Sequence, residues 1–390
     1  MKLLPTVLVW SVGRGRTDPA QACHDGAVDM TIRTPCAPRR AFTIVDVAVG
    51  VASTTLLAAV LGATAASLRT RGNEAVSMSN LMQLGVSQAL YAWDHEGLQW
   101  CQHASDFGLV WGNCAAYHNT IACPEQAILG WDLQGTLWGY WTGGGLCPPT
   151  YPNSCGAWIV LWPNEWATTN GVAGSWKMLQ AQSFHDYANG RFYDPVYYAP
   201  NDHPTYRRAA PAFDVPAEFV RLYSQPGVVV FGSYAMSPAA MWHPDVLRGA
   251  SRGGFRNPSS FPEAFERQPL FGAAHPDLKS LVFEQHWNQG GQQPASGQGL
   301  AATSTFHYNQ SAAATPITLF YDGHVWFLPN SVAIADDKAL RARKLDGLWS
   351  RDTPLGADGY FGATSVDGTT TSHSVLTTDG ILGRDVLKPQ

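Results

Sequence analysis

The sequence predicts an α+β protein in which a long N-terminal helix, membrane-spanning in its first half and amphipathic in its second, packs on an antiparallel β-sheet head with extended loops. Three observations predict it. An uncharged run, Val47 to Leu68, follows the pair Arg39 and Arg40. Beyond that run, Leu81, Leu84, Gln88 and Tyr91 recur at three- and four-residue steps, the spacing of one helix face. The chain also holds 38 Gly and 26 Pro, set between short aromatic and β-branched runs that culminate in an Asp322-Gly323 hairpin signal.

The first element is the apolar run. About 20 apolar residues suffice to cross a bilayer as a helix, and this run carries neither charge nor proline, so a span is expected over about 44–68. The rival, a buried core helix, is usually shorter and carries a polar stripe. Arg39 and Arg40 favour a cytoplasmic N-terminus and send the rest of the chain across, a bias that Arg69 and Arg71 oppose. Asp46 demands a partner, since a carboxylate costs on the order of 2.5–3.5 kcal/mol at the bilayer centre and less near the interface. A free amine would serve. A cut between Ala41 and Phe42 would place the new α-amino group of Phe42 one helical turn from Asp46, or opposite the Asp46 of a neighbouring subunit.

Arg39-Arg40-Ala41-Phe42-Thr43-Ile44-Val45-Asp46 followed by an apolar helix resembles the prepilin signal of type IV pilins and type II secretion pseudopilins, whose usual form is a basic leader, Gly, then Phe-Thr-Leu-x-Glu. The resemblance implies cleavage after Ala41 by a prepilin peptidase, N-methylation of Phe42, and an assembly role for the Asp46 carboxylate. Ala41 stands where the family has Gly, Asp46 where it has Glu, and the helix-breaking Pro of many pilins is missing. Met78 to Gly97 is similar to the pseudopilin stretch Ser-Asn-Leu-(Lys/Arg)-Gln-Ile-Gly-x-Ala-x-x-x-Tyr, with Leu81, Leu84, Gln88 and Tyr91 facing a sheet and Asn80, Gln83 and Ser87 facing water. A helix over 42–96 would be roughly 80 Å long at 1.5 Å per residue, with Gly97 as its stop.

Residues 1–41 read as the leader. Lys2 and the apolar residues after it have the start of a secretory signal, but the stretch to Arg40 then has no purpose. Starting at Met30 gives a short basic leader, so 1–29 reads as an over-long start or a disordered preface. Loss of 1–41 leaves 19 basic against 27 acidic residues, a net charge of −8. No basic run is long enough to track a nucleic-acid backbone, so no nucleic-acid partner is expected. The head divides into 97–299, a module at 300–330 and a C-terminal part at 331–390. With 14% charged and 45% hydrophobic residues in the chain, it is an ordered, loop-rich domain large enough for a full core.

Seven cysteines are present. Cys23 and Cys36 precede the cut, and Cys101, Cys114, Cys123, Cys147 and Cys155 share one window after the helix. That suits disulfides in an oxidising compartment, with Cys147 and Cys155 the favoured pair and a second pair drawn from the other three. The metal alternative, zinc held by these cysteines with His103 or His118, lacks any Cys-x-x-Cys, and neither metal nor other cofactor is expected.

Trp158–Trp162, Gly227–Phe231 and Leu281–Glu284 read as strands; Pro163–Glu165, Asn201–Pro204 and Arg252–Gly254 read as loops. Arg191–Tyr198 and Met236–Met241 also resemble large pseudopilin-like proteins, too loosely to carry roles. Ile317–Tyr321 and His324–Leu328 alternate about Asp322-Gly323, the pair favoured in a type I′ turn. With His307 upstream, Asp322, Gly323 and His324 resemble the prepilin-associated His-x9-Asp-Gly module, although 14 residues separate His307 from Asp322.

Enzyme candidates are His185-Asp186, Glu284 with His286, and Asp322 with His324. The turn accounts for Asp322 and a strand start for His324, and no Ser-His-Asp order, His-Glu-x-x-His or phosphate-cradling glycine loop occurs, so no enzyme is expected. Trp131, Trp138 and Trp141 raise glycan or surface binding, though Trp usually enters a core. The expectation is a pseudopilin or minor pilin of a type II secretion or pilus-like filament, single-pass in the cytoplasmic membrane with its head outside, partnered by a prepilin peptidase and other subunits. The alternative is a membrane-anchored binding domain that forms no filament.

Overall fold

The computed structural model describes residues 44–113, 116–117, 120, 128–139, 161–164, 166, 174–222, 229–285, 314–356 and 373–389. The chain divides into two units, Met1–Leu61 and Gly62–Gln390. The described helices are α1 (Ile44–Asp94), α2 (Gln182–His185), α3 (His203–Ala209), α4 (Pro238–Met241) and α5 (Asn330–Ala342). The strands are β1 (Ile128–Trp131), β2 (Leu137–Gly139), β3 (Tyr234–Met236), β4 (Ser280–Glu284), β5 (Ile317–Phe320) and β6 (Val325–Phe327). Two antiparallel sheets result, the pair β1-β2 and a four-stranded sheet in the order β3-β4-β5-β6.

The expected fold class is corrected here. Among the described residues no helix is long and apolar enough to cross a membrane, so a helix with a membrane half does not stand. The composition of the supposed span explains this in part: of the residues from Val47 to Leu68, 14 are Ala, Gly, Ser or Thr and 8 are Val or Leu, and small or hydroxylated groups gain little from hydrocarbon. Thr55 turns its hydroxyl back to donate to the Val51 carbonyl at 2.8 Å.

α1 ends where two left-handed residues follow each other, Glu96 (φ 55°) and Gly97 (φ 81°), with the Gly97 N–H donating to the Ala92 carbonyl at 2.7 Å. Between Ser77 and Ala92 one face of α1 is buried: Ser77, Asn80, Leu81, Leu84, Ser87, Gln88, Tyr91 and Ala92. Gly85 permits the close approach, because a Cβ there would sit 3.1 Å from Cδ2 of Leu319 on β5. Every residue of β3, β4 and β5 is buried, so the alternation expected for β5 does not separate a wet face from a dry one. β6, at the sheet edge, leaves Trp326 exposed.

Three smaller expectations also change. Val229–Phe231 are buried but carry no strand, which begins at Tyr234; Leu161 and Trp162 are not strand either. Asn80 and Ser87 are inside, not at the water face: Asn80 finds the Tyr198 carbonyl there, and Ser87 donates to the Gln83 carbonyl one turn back in α1. The β5–β6 turn is not type I′: of its residues only Gly323 has positive φ (89°), with the Gly323 N–H donating to the Phe320 carbonyl at 3.0 Å and the Phe320 N–H to the His324 carbonyl at 3.0 Å. That is the longer hairpin loop with Gly at its left-handed position.

Much of the core is aromatic. Phe107, Trp162, Trp242 and Phe265 meet at ring-centre distances of 5.0–6.3 Å. The indole N–H of Trp242 donates to Asn164 at 2.7 Å, which settles the one polar atom that burial of its ring would strand.

Candidate functional site

β4 is the strand about which the polar architecture is organised. At its C-terminal end, Glu284 is fully buried and joins the sheet to α1. Its Oε1 accepts from Ser77 Oγ at 2.5 Å, and its Oε2 accepts from the Ile317 N–H at 3.0 Å. Ser77 Oγ also shares a hydrogen bond with the Tyr234 hydroxyl at 2.9 Å, and Asn80 Nδ2 donates to Tyr234 and to the Tyr198 carbonyl, each at 3.3 Å. Burial, and then the charge of Glu284, push the Tyr234 phenol well above its ordinary range, so it remains a neutral donor and acceptor. Farther along the same face, Gln88 Oε1 accepts from the Trp100 N–H at 3.0 Å, and Arg267 donates to the Tyr91 hydroxyl. α1 is therefore fixed to the head by a polar row interleaved with Leu81 and Leu84.

At the other end of β4, Lys279 and Asp385 form an ion pair with both side chains wholly buried, Nζ to Oδ2 at 3.1 Å. Burial lowers the Lys279 pKa, against the pull of Asp385. Burial alone would raise the Asp385 carboxyl, but Lys279 and the Ser280 and Thr377 donors outweigh it and hold it below the usual range. His373 is buried close by, with neither ring nitrogen hydrogen-bonded among the described residues, and burial carries its pKa down to about 4.

The opposite face of α1 is uncovered, and large apolar side chains stand on it beside the exposed Ser79 and Gln83. Met82, Val86, Leu90 and Trp93 are 52–88% exposed and, on a helix of 3.6 residues per turn, lie across from Leu81, Leu84 and Gln88; Val76, 48% exposed, stands at the border of the two faces. The buried face sets Ser77, Asn80, Ser87 and Gln88 among Leu81, Leu84 and Tyr91.

Of the residues singled out from sequence, Arg39, Arg40, Ala41, Phe42, His118, Trp141, His286, His307, Cys114, Cys123, Cys147 and Cys155 lie outside the described residues, as do Cys23 and Cys36. Asp46 is in the first turn of α1. Cys101, one of the three from which a second pair was expected, is a free, buried thiol whose pKa burial lifts to about 12. His103 is buried, with Nε2 3.0 Å from the Phe265 carbonyl and a pKa lowered to about 3 by burial and by Arg267. His185 reaches the Leu129 carbonyl at 3.1 Å and fixes α2 to β1. Asp322 Oδ1 accepts from the His324 N–H at 3.1 Å and lies 2.5 Å from His324 Nδ1, while the His324 ring stacks on Phe320 at 4.2 Å. Both side chains are thus engaged by the hairpin itself. Trp131 is exposed; Trp138 is half-buried beside Phe219 and under Arg221. Among the described residues no group of three or more His, Cys, Asp or Glu could hold a metal.

Sequence reasoning missed Lys279 and Asp385, which stand 106 positions apart with nothing in their spacing to connect them. The one available signal was a lysine set directly before an apolar strand. No protein-family model, curated protein or solved structure matches this chain.

Proposed function

We propose that this chain is a structural subunit of a pilin- or pseudopilin-like filament of the type II secretion or type IV pilus kind, released for assembly by a prepilin peptidase that cuts between Ala41 and Phe42. The observation that supports this reading is the two-faced second half of α1. One face is anchored to the head by Ser77, Asn80, Leu84 and Gln88, and the other offers Met82, Val86, Leu90 and Trp93 to solvent. A helix face with those apolar side chains has a natural use against helices of neighbouring subunits, where they would be removed from water. In this reading Asp46 pairs with the amine of a neighbour's Phe42, and the role is structural, not catalytic.

The test is coexpression with a prepilin peptidase followed by N-terminal sequencing. A product beginning at N-methylated Phe42 is expected. An uncut chain would overturn the reading and favour a binding domain that joins no filament.

A further inference from the structure

The buried pair at the start of β4 has the arrangement of a condensation site. Lys279 Nζ lies 3.1 Å from Oδ2 and 3.4 Å from Oδ1 of Asp385, so the amine faces the carboxyl group as a whole. Oδ2 accepts from the Ser280 N–H at 2.9 Å and from Ser280 Oγ at 2.6 Å. Oδ1 accepts from the Ser374 N–H at 3.0 Å and from Thr377 Oγ1 at 2.5 Å. Thr377 Oγ1 in turn accepts from Lys279 Nζ at 2.7 Å, so one hydroxyl bridges the amine and one carboxyl oxygen; Ser237 Oγ takes a further Nζ hydrogen at 2.8 Å.

We propose that Lys279 and Asp385 are joined by an intramolecular isopeptide bond that the fold itself forms. A proton passes from Nζ through Thr377 to Oδ1, the lone pair of the neutral Nζ adds to Cγ of the protonated carboxyl, a C–N bond forms, and the C–Oδ1 bond breaks with its electron pair staying on oxygen. That oxygen leaves as water with the two protons shed by the ammonium, relayed through Thr377. No oxidant, reductant or other reactant enters. Ser280 N–H and Oγ steady the negative charge that builds on Oδ2 during addition, as donors aimed at a developing oxyanion do.

Two physical features favour the step. Both side chains are wholly buried, so the amine is held against the carboxyl without competing water, and fixed proximity of that kind replaces the entropy of an encounter. Condensation also removes both charges from an interior that solvates them poorly, whereas a buried ion pair carries a desolvation cost its attraction only partly offsets. The bond would tie the C-terminal segment, 373–388, to the centre of the sheet, and it is independent of whether the chain enters a filament.

A tryptic digest of the denatured, reduced full-length protein tests this directly. The C-terminal peptide beginning at Asp385 should be found attached to the peptide that contains Lys279, one water lighter than the two together. Asp385→Asn should give the same linked product with loss of ammonia in place of water, and Lys279→Arg should give no link. Recovery of both wild-type peptides free and at full mass, with cleavage after Lys279, would overturn the proposal even if neither variant folds.

Discussion

The two faces of α1 differ in what holds them: the inner one is fixed by packing and hydrogen bonds to the head, and the outer one by neither. The face against the head carries Ser77, Asn80, Ser87 and Gln88 among its buried residues, while Met82, Val86, Leu90 and Trp93 face solvent. Burial here follows hydrogen-bond complementarity together with the packing of Leu81, Leu84 and Tyr91. Glu284, Tyr234 and the Tyr198 carbonyl form a preformed polar seat, and only a helix presenting Ser77 and Asn80 in register can satisfy it. Stability therefore rests on the inner face, and the outer face is free to serve a partner.

Truncation inside should cost most. Leu84→Ala removes a wholly buried side chain over β5 and should destabilise the protein by about 2–5 kcal/mol, measured by chemical unfolding. A cost like that of a surface change would break the distinction between the faces. Ser77→Ala keeps the packing but leaves Glu284 Oε1 and the Tyr234 hydroxyl short of a partner, for an expected loss of about 1–3 kcal/mol. A neutral result would mean that the seat holds no more than the helix volume.

Acid should loosen the interior while the outer face stays indifferent. His103 and His373, ordinarily near 6.5, are held at about 3 and about 4 by burial, so each is neutral when folded. The unfolded chain binds more protons between the ordinary and the folded values, and the stability they contribute is complete above about 6.5 and lost as pH falls toward about 4 for His373 and about 3 for His103. Asp202, raised to about 6 by burial, works in the opposite sense, losing stability as pH rises through that value, and so blunts the slope. His373→Leu should flatten the acid limb of an unfolding-midpoint profile; an unchanged limb would exclude His373 as a contributor. Smallest of all, Trp93→Ser or Val86→Ser should shift stability by no more than about 0.5 kcal/mol.

Much of the inner face was legible in the sequence. Leu81, Leu84, Gln88 and Tyr91 follow helical spacing, and all four are buried. β4 and the β5–β6 hairpin were legible from apolar runs and the Asp-Gly pair. Asn80 was misplaced because polarity alone does not reveal a buried acceptor, and Ser87 because its hydroxyl is satisfied by the Gln83 carbonyl of its own helix. The supposed membrane span rested on absence of charge, a weaker criterion than the apolar size of each side chain. Turn type escaped because Asp-Gly fits more than one hairpin loop. The Lys279–Asp385 pair was invisible, since only tertiary structure brings Arg384's neighbour back to the start of β4.

The most direct test of the division between the faces is a single comparison on the outer one. Val86→Asp with Trp93→Ser should leave the unfolding midpoint of the head nearly unchanged and abolish incorporation into filaments when coexpressed with a prepilin peptidase and partner subunits. Filaments that take up this variant as readily as the native chain would contradict the account.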